Sequence, residues 1–320
     1  MSALGWGYHR PIKSANRRPR NHCLGSLLLP LCFIFRIWRE ISLFYLPPQE
    51  LWYLTVARLS VTYDDGRKGV GTGFFIYDRT HYFLVTARHV VDPQYVPKAA
   101  INQAICKEID VSFQSSVNSG TPKAAIGYQR FCIGDPEFAH DDMEVDVAAI
   151  KIPANVLPIN SGENLIRPWS FGLDFLATDE DLSSRHAGEP VVFVGFPDNS
   201  PVNRVGTSEF NYPLLRQGVF AYPPIHGIDV YGELGSNYGL IDSYAQSGFS
   251  GGPVISLQKG WGDGSWHPKR DHRPSKVVGL ICGHYRSAQD RADGGHAGLS
   301  FFARSSSIQS VIQQLKDRSD

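Results

Sequence analysis

The run Gly248-Phe249-Ser250-Gly251-Gly252-Pro253-Val254 decides how this chain is read, because it sets a serine on a glycine-built turn that leads into a strand. A serine hydroxyl is a poor nucleophile at neutral pH. It needs a base to take its proton and donors for the oxyanion that forms on an attacked carbonyl. Glycine has no Cβ and lets the backbone aim two N–H groups at one point, which nominates the amides of Gly248 and Ser250 as those donors. Gly-x-Ser-x-Gly also occurs as a plain turn between strands, so the decision rests on a base elsewhere in the chain.

Two architectures use this pentapeptide, with opposite chain orders. An esterase of the α/β-hydrolase type needs Ser, then Asp or Glu, then His, with a helix directly after the serine. Here Pro253-Val254-Ile255-Ser256-Leu257 follows, β-branched and strand-like. The order His, Asp, Ser is met upstream. Tyr82-Phe83-Leu84-Val85-Thr86-Ala87-Arg88-His89 places a histidine just past an apolar strand, and Val145-Asp146-Val147-Ala148-Ala149-Ile150 heads another strand with one carboxylate. Asp141 and Asp142 compete with Asp146 but lack the apolar strand that would bury them beside a histidine.

With these segments the chain resembles the trypsin-like serine peptidases of the chymotrypsin fold, in their bacterial branch. Gly71-Thr72-Gly73-Phe74 with Thr86-Ala87-Arg88-His89, Asp146-Val147-Ala148 and Gly248 to Val254 carry the likeness, which covers roughly residues 50 to 318. The resemblance implies an all-β fold of two antiparallel six-stranded β-barrels, about 51–160 and 185–304, with the site between them and a C-terminal α-helix. It implies a serine endopeptidase acting on peptide or protein substrates through an acyl-enzyme. His89 would be general base and then acid, Asp146 would orient it, Ser250 would be the nucleophile, and Gly248 and Ser250 would form the oxyanion hole. No cofactor or metal is called for. The alternative from another class is a catalytically silent peptide-binding module on the same fold.

Departures from the family pattern narrow the reading. Phe249 stands where zymogen-type members keep an aspartate for a cleaved N-terminus, which argues against that activation switch. Val90 follows His89 where extracellular members carry a disulfide-bonded cysteine. The five cysteines, Cys23, Cys32, Cys106, Cys132 and Cys282, are odd in number without metal-like spacing, which fits a reduced, cytoplasmic setting. By resemblance Tyr244, the strand Ile281-Cys282-Gly283 and Gly298 border the substrate groove. Tyr244 replaces the aspartate that selects Lys or Arg, so a small or apolar residue is expected before the scissile bond. His284, just past the groove strand, leaves an acidic preference open. Cys282 is read as a small buried or groove-facing residue rather than a second nucleophile.

Composition sets the remaining bounds. With 42% apolar residues over 320 positions the chain can bury a sizeable core, and a formal net charge of zero gives no electrostatic case for nucleic acid or membrane. Strand-like runs fall at 51–62, 70–76, 82–86, 147–152, 191–196, 254–257 and 277–282. Ser305 to Ser307 offer N-cap candidates for a helix to about 318, whose Ile308, Val311, Ile312 and Leu315 recur at helical spacing and predict packing on the second barrel. That helix is the last element, so the reading is of one peptidase module without a PDZ domain. Residues 1–50, with basic Arg17 to Arg20 before apolar Leu24 to Phe35, read three ways: a signal or anchor through residues 17–35, a flexible extension, or sequence upstream of the working protein. Residues 259–275 form a long loop whose histidines match no metal-ligand spacing, and Asp290 to Gly295 lacks the alternating acids of a calcium loop.

Overall fold

Alternation of apolar and polar side chains builds the first sheet. The computed structural model describes residues 52–93, 95, 104–116, 126–140, 145–153, 155–157, 159–161, 164–166, 168–198, 212–228, 230, 237–260, 272–286 and 296–318. The expectations for residues 1–50, for Asp141 and Asp142 and for Asp290 to Gly295 lie outside these, as does most of the 259–275 loop.

In chain order come β1 (Val56–Tyr63), β2 (Lys68–Tyr77), β3 (Tyr82–Thr86), a one-turn helix α1 (Arg88–Val91), β4 (Cys106–Ser116), β5 (Ile126–Gly134), β6 (Phe138–His140) and β7 (Ala148–Lys151). They are followed by a small β8 (Ile159–Ser161) and β9 (Asn164–Ile166) hairpin, β10 (Phe171–Gly172), and helix α2 (Asp179–Ser183). The second half holds β11 (Pro190–Gly195), β12 (Leu214–Phe220), β13 (Tyr238–Asp242), β14 (Pro253–Ser256), β15 (Lys276–Arg286), β16 (His296–Arg304) and helix α3 (Ser305–Asp317).

The second half closes as an antiparallel barrel, β11-β12-β13-β16-β15-β14. The first is a half-barrel: the path β5-β4-β1-β2-β3-β7-β6 is antiparallel throughout, with β10 added parallel to β2. The all-β expectation and the closed six-stranded second barrel hold, whereas the first half is an eight-stranded half-barrel sheet in place of the expected six-stranded barrel. The α/β-hydrolase alternative fails on the element after the serine, which is strand β14.

Within the sheets the inward positions are fully buried: Leu59 and Val61 on β1, Ile109, Val111 and Phe113 on β4, and Phe193 on β11. The run from Leu51 is strand only from Val56, since Trp52 to Leu54 make a helical turn closed by the Thr55 N–H on the Trp52 carbonyl. Strands β4, β5, β12 and β13 were absent from the sequence expectation.

The last helix corrects two details. It begins at Ser305, with Arg304 at the cap position and no side-chain cap, because the Ser305 hydroxyl is drawn away to donate to the Ala177 carbonyl. Its buried stripe, Ile308, Val311, Ile312 and Leu315, belongs to the core cluster that also includes Val85 and Ile150 of the first sheet and Leu280 of the second barrel. It packs on β6 and β7 as well as on β15 and β16.

Candidate active site

His89 enters the site from α1, directly after β3, and Asp146 from the bend before β7. Because β3 and β7 pair with Thr86 opposite Ala148, the two side chains meet at the same end of the sheet. Asp146 holds His89 twice: Oδ1 accepts from the His89 backbone N–H at 2.9 Å, and Oδ2 lies 2.6 Å from His89 Nδ1. An ionised carboxylate only accepts, so Nδ1 carries the hydrogen and the neutral ring keeps Nε2 as its acceptor. That is the tautomer a general base requires.

The pair is asymmetric in exposure: the Asp146 side chain is 2% exposed and that of His89 34%. Burial opposes charging the imidazole, yet the charge and hydrogen bond of Asp146 outweigh it and raise the His89 pKa above its ordinary 6.5.

The Asp146 peptide is gripped from the second barrel. Its N–H donates to the Tyr238 hydroxyl on β13 at 2.9 Å, and its carbonyl faces the Cys282 thiol of β15 at 3.5 Å. Tyr238 in turn faces the Tyr95 hydroxyl at 3.4 Å. Burial, joined by neighbouring negative charge, pushes the pKa values of Tyr238 and Cys282 upward, so both stay protonated. Cys282 is thus a buried thiol set against the Asp146 carbonyl.

The turn that carries Ser250 is tied to the first sheet through its neighbours. The Ser250 carbonyl accepts from the Thr72 N–H of β2 at 2.9 Å. At Gly251, with φ +87°, a side chain would press on the Thr72 carbonyl, on the Thr86 hydroxyl and, at 2.9 Å, on the amide of Ala87, two residues before His89. Only glycine allows the serine turn to approach that closely.

The two amides nominated for the oxyanion belong to peptides whose carbonyls are both pinned. The Phe249 carbonyl accepts from the Gly252 N–H at 2.8 Å, and the Ser247 carbonyl from the Asp198 N–H at 3.1 Å. In a trans peptide the N–H points opposite to the C=O, so the Ser250 and Gly248 N–H groups are turned away from those partners. Among the described residues neither amide is taken by a backbone carbonyl. Gly248 sits at φ +92°, and the Thr72 hydroxyl donates to its carbonyl at 2.7 Å.

Phe249, between those amides, is fully buried in the core of the second barrel, edge-on to Phe193 at 5.3 Å between ring centroids. The Arg216 guanidinium covers its ring at 5.8 Å and the Tyr244 ring at 5.7 Å, and it donates to the Gln246 side chain at 3.2 Å. Apolar burial and one stacked cation thus occupy the place of an activating ion pair.

The expected groove residues divide. Tyr244 is exposed, and Gly298, at φ +82°, has no atom within 4 Å of where a side chain would stand. A side chain on Gly283 would meet the Phe301 ring at 2.7 Å. Ile281 points instead into the second-barrel core at 1% exposure, while its backbone exchanges bonds with Gly251 and Gly252 and so braces the serine turn. Thr72, Tyr238, Asp198 and Arg216 were missed from sequence. Only Thr72, between two glycines, carried a local signal.

The model of the trypsin-like peptidase domain matches residues 71–261. Among solved structures the chain is similar to the HtrA-type protease AlgW with a tripeptide, at 15% identity and TM-score 0.48 over 84% of this chain and 62% of that one. It is also similar to the serine endoprotease from Yersinia pestis, at 15% and 0.42 over 83% of this chain and 65% of that one. For Deg5 the values are 17% and 0.43 over 87% and 92%. The chain spans about three fifths of the length of the AlgW structure. No curated protein matches the sequence. The matched family domain covers more than half of the chain and contains His89, Asp146 and Ser250, and the chain belongs to the trypsin-like serine peptidase family.

Proposed function

We propose that this protein hydrolyses peptide bonds in peptide or protein substrates with His89, Asp146 and Ser250. The reading is carried by the two-point grip of Asp146 on His89, at 2.6 and 2.9 Å, together with a serine turn whose Gly248 and Ser250 amides are taken by no backbone carbonyl among the described residues. His89 Nε2 takes the hydroxyl proton as Ser250 Oγ attacks the carbonyl carbon. The resulting oxyanion is met by the N–H groups of Gly248 and Ser250. The imidazolium then gives its proton to the leaving amine, and water, activated by the same histidine, hydrolyses the acyl-enzyme.

Specificity follows from what borders the groove. With Tyr244 in place of a carboxylate and the Arg216 cation stacked on its ring, a Lys or Arg side chain before the scissile bond meets a like charge, with Tyr244 offering it no carboxylate. A small or apolar residue is expected at that position, and His284 and the Arg216 cation leave an acidic one open.

The test is to digest an unfolded protein mixture with the purified chain and sequence the new termini by mass spectrometry. New termini, few of them after Lys or Arg and all lost in Ser250→Ala and in His89→Ala, are expected. Termini that persist in Ser250→Ala would overturn the proposal.

A further inference from the structure

The oxyanion hole depends on which way the peptide between Ser247 and Gly248 faces. With the Ser247 carbonyl turned out, the Gly248 N–H points into the hole; the reverse orientation would place a carbonyl there and repel an oxyanion. Glycine at 248 tolerates both orientations, so something outside the turn must choose.

The choice is made by the loop that follows β11, Phe196 to Asp198. The Asp198 N–H donates to the Ser247 carbonyl at 3.1 Å, and the Asp198 carboxylate accepts from the Ser247 hydroxyl at 2.5 Å through Oδ2. The loop is itself fixed, because the Phe196 N–H donates to the Thr72 hydroxyl at 2.9 Å, and that hydroxyl donates on to the Gly248 carbonyl. It also lies flush against Gly248, where a side chain would stand 2.8 Å from the Asp198 nitrogen and 3.0 Å from its Oδ1.

We propose that Asp198 is a positioning residue for the oxyanion hole: its amide and carboxylate grip Ser247 at two points and hold the following peptide with the Gly248 N–H facing the substrate carbonyl. The backbone bond is available to almost any residue at 198. The carboxylate bond is specific to this side chain, and it ties down an otherwise exposed serine. Asp198 touches neither His89 nor Ser250 in this arrangement, so its contribution is to transition-state stabilisation and leaves proton transfer alone.

The proposal rests on Ser250 as nucleophile. The experiment is therefore the rate of labelling by a small fluorophosphonate, whose phosphoryl oxygen needs the hole but whose binding needs little of the groove. It is measured across pH for the full chain and its variants. Asp198→Ala is expected to slow labelling about 10- to 100-fold, part of the loss caused by deleting a hole donor outright, with the pH midpoint unmoved. Asp198→Asn, whose amide oxygen still accepts from the Ser247 hydroxyl, is expected to stay within about threefold of the parent. Ser247→Ala removes the same bond from its other end, and combining it with Asp198→Ala should add little. An Asp198→Ala protein labelled at the parent rate, or an Asp198→Asn protein as slow as the alanine variant, would overturn the latch while leaving the nucleophile in place. A parent that is never labelled would overturn the reading of the site, and the latch with it.

Discussion

Asp146 is a buried carboxylate whose oxygens both serve His89, so a change there alters the histidine's tautomer and charge together. Asp146→Asn is expected to lower kcat about 10⁴-fold with little change in KM, measured on a peptide substrate at pH 8. The fold raises the His89 pKa and so favours the imidazolium. The stability this pair contributes is full below the ordinary value of 6.5 and is lost as pH rises through the raised folded value. Activity runs the other way, because the base is the neutral ring: the rising limb of kcat/KM in the parent is expected above pH 6.5, and removal of the carboxylate should move it down. Tyr238→Phe would leave the Asp146 N–H buried without its acceptor, at about 1–3 kcal/mol of stability by denaturant titration. His89, Asp146 and Ser250 were legible as candidates because each lies in a short apolar or glycine-rich frame. Tyr238 stands 92 residues from the peptide it holds, and no local pattern marks it.

At the scale of elements, the serine turn is anchored by Phe249 and braced by the backbone of Ile281. Phe249→Ala is expected to destabilise by about 3–5 kcal/mol, read from the denaturation midpoint, and to slow Ser250 labelling even under conditions where the variant is folded. Helix α3 joins the two halves, so Ile312→Ala, about 2–5 kcal/mol, should lower the stability of both in one cooperative transition. The turn was legible because glycines punctuate it, and the helix because its apolar residues repeat at 3.6. Strand β4 was legible in principle, since Ile109, Val111 and Phe113 alternate with polar residues, but its frame of Lys, Glu, Asp, Ser and Gln masked the signal. The cap of α3 was misplaced because Ser305 bonds the distant Ala177 carbonyl, a choice only the tertiary structure sets.

At the scale of the molecule, the candidate site draws on both halves. His89 and Asp146 ride on the first half-barrel and Ser250 on the second, and the bonds joining them, Thr72 to Ser250 and Gly248, Phe196 to Thr72, and Tyr238 and Cys282 to Asp146, all cross between the halves. The order His, Asp, Ser could be read along the chain, whereas these cross-links depend on how two sheets face each other and leave no trace in sequence spacing. Substrate profiling should show the pocket's outcome as at least tenfold poorer kcat/KM after Lys or Arg than after small or apolar residues, roughly the 1.4 kcal/mol of a missing charge partner. The most direct measurement is the intact mass of the full chain after exposure to a fluorophosphonate, beside Ser250→Ala and His89→Ala. The account predicts a single adduct on the parent, mapped to Ser250, and none on either variant. An unlabelled parent, or a Ser250→Ala chain that still gains the adduct, would contradict it.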